Sequence, residues 1–170
     1  MPDTSLGITY PASGGHGRLW EHFQTFADDV NTLLLRKGYI ADSARTSSSA
    51  NVTTTETVIQ SLTFNAVAGT RYKVTALQSV QSTAAGDSCI VRTRWATGAT
   101  VTTGGTQIDS KIIPSYTAAL GFLATSVGTF VASSTGQVTV GVTLARNTGL
   151  NTWSSFGNSS QINTILVEGV

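Results

Sequence analysis

The sequence predicts a mainly β protein, an antiparallel β-sandwich or jelly roll, preceded by an extended N-terminal arm and one amphipathic α-helix. Three observations carry this expectation. Residues 17–37 place apolar side chains at helical spacing, and nothing after them does. From about residue 50 onward, about eight short runs rich in β-branched and aromatic residues are separated by turns containing Gly, Ser or Asn. Only 11% of residues are charged, against about 25% in ordinary globular chains. Their place is taken by 28 threonines and 19 serines. Threonine favours strands and serine favours turns, so the low charge reads as β structure and not as disorder.

Residues 1–16 contain Pro2, Pro11 and the pair Gly14-Gly15. They read as an extended arm without a core of its own, with Ile8, Tyr10, Pro11 and His16 as its attachment residues. The helix follows. Leu19, Phe23, Phe26, Val30 and Leu33 are separated by steps of four, three, four and three, which is a heptad seam. Trp20 and Leu34 widen the stripe, and Trp20 joins the attachment residues. Arg36 and Lys37 suit a helix C-terminus, and Gly38 suits its stop. Such a helix is about 30 Å long. The Ser-rich run after Ile40 reads as a linker or the edge of a polar first strand, which places the domain boundary near residue 45. Residues 1–45 are thus expected to attach and oligomerise, and residues 46–170 to form the β domain.

Within that domain, residues 52–60 and 62–67 read as two strands before a turn at Ala68-Gly69. Residues 71–81 alternate, with Tyr72 and Val74 on one face and Arg71, Lys73 and Thr75 on the other. Residues 88–96 do the same, with Cys89, Val91 and Trp95 opposed to Arg92 and Arg94. The second face of each run, Lys73, Arg92 and Arg94 included, is expected in water or at an interface. Val138, Val140, Val142 and Leu144 give the cleanest period-two signal in the chain. Residues 146–160 read as a long loop or a loop with a short strand, and residues 161–169 as the closing strand.

The charge pattern excludes some partners. The net charge is +1, and six basic residues are spread over the last 125 positions, so no basic face for nucleic acid is expected. The uncharged stretch between Lys111 and Arg146 is broken by Pro114, Gly, Ser and Thr, so no membrane insertion is expected. The N-terminus lacks the basic start and apolar core of a secretory signal. The single cysteine, Cys89, lies in an apolar run and reads as a small core hydrophobe, consistent with synthesis in a reducing cytoplasm.

Catalytic and cofactor signals are weak. His16 and His22 are six residues apart and would not share a helix face. There is no HExxH, no GxSxG and no cysteine pair, so no metal, no cofactor and no nucleophilic triad is expected. Glycoside hydrolysis needs two facing carboxylates, and the β region offers Glu56, Asp87, Asp109 and Glu168. Asn51-Val52-Thr53 and Asn158-Ser159-Ser160 fit the glycosylation pattern but lack a secretory signal to give it meaning. In the loop, Asn147, Asn151 and Trp153 combine amides with an aromatic ring, a set that can stack on and hydrogen-bond a host-surface glycan. The competing reading is an aromatic tucked over the end of the core.

The segment from Gly7 to Leu34 resembles the N-terminal region of virion proteins from tailed bacteriophages of actinobacteria, usually described as minor tail or structural proteins. The residues that carry this are Tyr10-Pro11, His16 and the run from Arg18 to Gln24. Residues 64–75 and the closing residues 165–170 resemble the β segments of the same proteins more loosely, with Gly169 standing where they more often carry an acidic residue. The resemblance implies a non-enzymatic virion surface component, commonly trimeric, of the capsid-decoration or minor-tail type. Its partners would be copies of itself and the major capsid or tail proteins.

A heptad seam must be covered, because a lone helix of this length is marginal in water. Two phenylalanines in the seam favour three helices over two. Light scattering on the full chain should therefore give the mass of a trimer. Phe26→Asp, which forces a charge into the seam, should weaken or abolish it. A monodisperse monomer of the unsubstituted chain would reject this.

Overall fold

The described residues form nine β-strands in two sheets. The computed structural model describes residues 38–170 together with Phe26 and Val30. The strands are β1 (Gly38–Arg45), β2 (Thr57–Ala66), β3 (Arg71–Ser82), β4 (Ser88–Thr97), β5 (Thr106–Pro114), β6 (Phe122–Val131), β7 (Gly136–Thr148), β8 (Trp153–Ser155) and β9 (Asn163–Gly169). One sheet has the order β1-β9-β3-β6, with short β8 also pairing β3. The other has the order β2-β7-β4-β5. With β8 set aside, the pairs β1/β9, β2/β7, β3/β6 and β4/β5 are nested one inside the next. That nesting is a long antiparallel hairpin rolled up on itself, the wrapping of a jelly roll.

The core lies between the sheets. Tyr72, Val74 and Val80 from one sheet meet Val91, Val138, Val140, Val142 and Leu144 from the other, and all are buried. Register explains the match: Leu62 and Trp95 both pair with Val140, and Phe64 pairs with Val138. Directly opposed residues share a face, so the period-two runs of three strands land on one inner layer. An aromatic chain closes one end. Phe64 meets Tyr72 edge-on at 5.1 Å, Tyr72 meets Phe130 at 5.6 Å, and Phe130 stacks on Trp95 at 4.5 Å. Tyr72 keeps its hydroxyl satisfied by accepting from Val67 N–H at 2.8 Å. Trp95, expected in the core, is half-buried, because it sits at the sandwich end beside residues 104–106. Cys89 is fully buried, and burial pushes its thiol up to about 12.

The structure refines the reading of several segments. Of the two readings of the run after Ile40, the strand is the observed one: Gly38–Arg45 forms β1 and pairs with β9, and one compact unit is Tyr39–Val170. Residues 52–60 and 62–67 are not two strands. Thr57–Ala66 is one strand, carried through Gln60 and Ser61 by a bulge between Val58 and Gln60. The clean alternation of β7 does not mean one wet face. Residues 138–145 are all buried, because residues 51–56 and 98–105 lie over the outer side. Val101 takes the space above Gly141, where a Cβ would sit 2.3 Å from Val101 Cγ1. Arg92 and Arg94, expected in water or at an interface, are half-buried beneath the same cover. Phe26 and Val30 are both helical, and Phe26 is 49% exposed. The rest of the expected helix and the arm lie outside the described residues.

Val140 is fully buried between two paired strands. Val140→Ala should cost about 1–3 kcal/mol by denaturant titration, the range for removing buried methyl groups. A value within error of zero would contradict the packing given above.

Candidate binding surface

The open face of the β1-β9-β3-β6 sheet is built by the same parity that builds the core. Where Tyr72, Val74 and Ala76 point inward, Arg71, Lys73, Thr75, Leu77 and Ser79 point outward. Their partners on β6 are Val131, Thr129, Val127, Thr125 and Leu123, and on β9 Glu168, Leu166 and Thr164. Leu123, Val127 and Val131 are 67%, 50% and 43% exposed. Strand β6 contains no charged residue and no proline, the usual guards of an exposed strand. The charges of this face gather at one end, where Lys73 Nζ and Glu168 Oε2 pair at 3.0 Å. The result is an apolar, hydroxyl-dotted surface with a charged rim at one end.

The carboxylates are spread over the molecule and engaged. Glu56 lies on the outer side of β4 and β7. It accepts from Arg92 at 2.9 Å, from Arg94 at 2.8 and 3.2 Å, and from Thr143. Asp87, at the turn between β3 and β4, accepts from Asn151 N–H at 3.0 Å. Asp109, on β5, accepts from Ser110 N–H at 2.8 Å and pairs with Lys111 at 3.4 Å. Glu168 is on the far sheet with Lys73. No two of these four face each other across a cleft. Among the described residues, no group of three His, Cys, Asp or Glu side chains could hold a metal.

The glycan set predicted in the loop is not assembled. Trp153 is on β8, pairs with Ser82, and is completely buried, so its ring cannot stack on a glycan. The core reading of this tryptophan is the observed one. Polar neighbours in sequence made it look exposed, but a backbone bridge to Val52 draws it under residues 51–53. Asn147 is exposed and donates to Ser88 Oγ at 3.0 Å. Asn151 is half-buried, with its backbone N–H held by Asp87 and its carbonyl accepting from Arg146 at 3.0 Å. Asp87 also explains Gly149, which has φ +89° and where a Cβ would lie 1.7 Å from Asp87 Oδ1. The loop is thus a clamped turn with Leu150 at its tip, 90% exposed. Of the seam residues, Phe26 and Val30 are the two described. Leu19, Phe23 and Leu33, and the attachment residues Ile8, Tyr10, Pro11, His16 and Trp20, lie outside the described residues.

A polar cluster that the sequence did not reveal sits inside the sandwich. Gln78 donates to Gln60 Oε1 at 2.8 Å, and Gln60 donates to Ser43 O at 3.0 Å. Ser155 donates to Gln78 Oε1 at 3.2 Å, and Arg45 donates to Ser155 Oγ at 2.5 Å. Gln78 and Ser155 are fully buried. The only outward signal was a Gln at a core parity position of β3.

No protein-family model and no curated protein sequence matches this chain. Solved structures overlap with it at low similarity. The sugar-binding EclA C-terminal domain is 14% identical over 76% of this chain and 78% of its own, with a TM-score of 0.41. The infectious bursal disease virus VP2 subviral particle is 6% identical over 76% of this chain, with a TM-score of 0.43, and this chain spans 36% of the VP2 chain. A CBM4 structure is 14% identical over 76% of this chain and 80% of its own, with a TM-score of 0.26. The neighbours thus include a viral particle protein and a sugar-binding protein.

Burial alone would raise the pKa of Glu56. Hydrogen bonds from Arg94 and Thr143, with the charges of Arg94 and Arg92, outweigh it and hold Glu56 below its ordinary value of 4.5. A depressed carboxylate contributes stability that is complete above the ordinary pKa and lost as pH falls through the folded one. Glu56→Gln should therefore cost about 1–3 kcal/mol at neutral pH. The difference from the parent should shrink as pH falls below that ordinary value, as followed by urea denaturation at several pH values. A pH-independent difference would show that the ion pairs do not matter.

Proposed function

We propose that this chain is a non-enzymatic structural protein of a tailed bacteriophage virion, a surface component of the capsid-decoration or minor-tail type. In this reading Tyr39–Val170 is the displayed unit. The residues before it anchor the protein and assemble a homotrimer. The partners are major capsid or tail proteins, no cofactor is used, and the chain is made in the host cytoplasm before it joins the particle.

The observation that carries the reading is the exposed, uncharged outer surface of β6 with Leu123, Val127 and Val131. Contiguous apolar surface of this kind marks interaction sites in soluble proteins. The N-terminal resemblance to virion proteins points the same way, as does the use of Glu56, Asp87 and Asp109 to hold loops and strands. A rigid hydroxyl-rich block with a neutral contact face is what a particle needs from a repeated surface part.

The test is composition and position. Mass spectrometry of purified virions from the phage encoding this chain should find it in many copies. Antibodies against Tyr39–Val170 should label intact particles in electron micrographs. A chain present in infected cells but absent from purified virions would overturn the proposal.

A further inference from the structure

Strand β3 changes partner at Ser79. On one side it pairs with β9 as far as Leu77 opposite Thr164, and with β8 from Val80 opposite Ser155. Between them the sheet has no partner strand, and Asn163 fills the gap. Its Oδ1 accepts from Ser79 N–H at 2.7 Å, its Nδ2 donates to Phe156 O at 2.9 Å, and Ser79 O accepts from Phe156 N–H at 2.7 Å. The N–H and carbonyl of Ser79 are thus both engaged on the β8/β9 edge without a partner strand there, while Ser79 stays paired with Leu123 of β6 on the other edge. Its side chain points to the outer face and is 8% exposed, and among the described residues its hydroxyl has no hydrogen-bond partner.

That hydroxyl opens onto a pit of about 300 Å³ lined by Ser79, Gly121, Leu123, Ser160, Gln161 and Ile162. The far wall is fixed. Asn158 Oδ1 accepts from Ser160 N–H and Gln161 N–H, each at 2.8 Å, which locks the turn that presents both side chains. This is what the Asn158-Ser159-Ser160 triplet does here. Gly121 keeps the pit open, since a Cβ there would lie 2.8 Å from Ser79 Oγ and close to the Gln161 amide.

We propose that this pit is a binding subsite for one ring of a neutral saccharide. The chemistry on its walls selects that class. Ser79, Ser160 and Gln161 each offer both donor and acceptor capacity, as sugar hydroxyls require. Leu123 and Ile162, 67% and 50% exposed, supply apolar walls for the C–H face of a pyranose. Among the described residues no charged side chain lines the pit, so neither an anion nor a cation gains from entering it. The volume lies at the small end of ligand sites, which suits a single ring and weak affinity. The assignment does not rest on the virion reading, although Leu123 belongs to both the β6 surface and the pit.

The experiment is amide-resolved NMR on the isotope-labelled full chain, titrated with glucose, galactose, mannose and N-acetylglucosamine separately, and with inorganic phosphate as the anion control. At least one sugar, at millimolar concentration, should shift the amides of residues 79, 121 and 160–162. Ser79→Ala and Gln161→Ala should each weaken that binding by about tenfold. Gln161 is on an exposed turn, and among the described residues its side chain makes no hydrogen bond, so its variant is expected to fold regardless of the outcome for Ser79. Absence of shifts at tens of millimolar would overturn the proposal. So would shifts that persist unchanged in both variants, or phosphate moving these amides where neutral sugars do not. Virion incorporation of the Gln161→Ala chain should be normal, so failure of the sugar site leaves the virion reading untouched.

Discussion

Strand β7 is buried on both faces along residues 138–145, and that constraint organises the molecule. Its inner side chains are valines and a leucine that meet the other sheet. Its outer side chains are Thr139, Gly141, Thr143 and Ala145, which are small or hydroxyl-bearing because chain lies directly over them. A strand buried on both sides needs two layers of cover. One layer is the opposing sheet. The other is made by residues 51–56 and 98–105, which have no regular structure with which to hold themselves down. Specific bonds hold them instead. Thr139 Oγ1 donates to Gly98 O at 2.7 Å, Arg146 N–H donates to Thr53 O at 2.8 Å, and Glu56 takes Arg92 and Arg94. Two arginines on an outer face would ordinarily point to water. Here they are the posts to which the cover is tied.

The second organising feature is the polar interior at the opposite end from the aromatic chain. A buried amide is costly unless every donor and acceptor is used. Gln78 and Gln60 use each other, and Ser43, Ser155 and Asn163 complete the set. The arrangement ties β1, β2, β3, β8 and β9 at one point. It also explains why β3 can change partners in mid-course: Asn163 substitutes a side-chain amide for the missing ladder. Hydrogen bonding is conserved, but sheet continuity is lost, and a pit remains on the outer surface where a strand would have been.

What was legible in the sequence follows from which side chains are apolar. The inner faces of β3, β4 and β7 could be read from alternation, since Tyr72, Val74, Val91, Val138, Val140, Val142 and Leu144 are buried as their spacing implies. Strand β1 could not be, because its inward residues include Ser43 and Arg45, which carry no apolar period. The continuity of β2 was hidden for the same reason: Gln60 and Ser61 look like an interruption, but Gln60 is 7% exposed. The cover on β7 was invisible because Thr and Gly at alternate positions look identical whether they face water or a loop. Trp153 misled in the opposite sense, since its polar neighbours are themselves buried: Ser154 is 7% exposed and Ser155 is 0%.

These features share a cause with consequences for function. Among the described residues, several of the few charges fix structure: Glu56 with Arg92 and Arg94, Asp87 on the turn at Gly149, Asp109 with Lys111. Its exposed sheet face is therefore left to threonine, leucine and valine. Such a face has little long-range electrostatic field to steer or repel an approaching partner, and contact must rely on shape and short-range complementarity. A pit lined by hydroxyl and amide groups on the same face is neutral for the same reason. Low charge is thus the property that joins the packing of β7, the neutral contact face and the neutral pit.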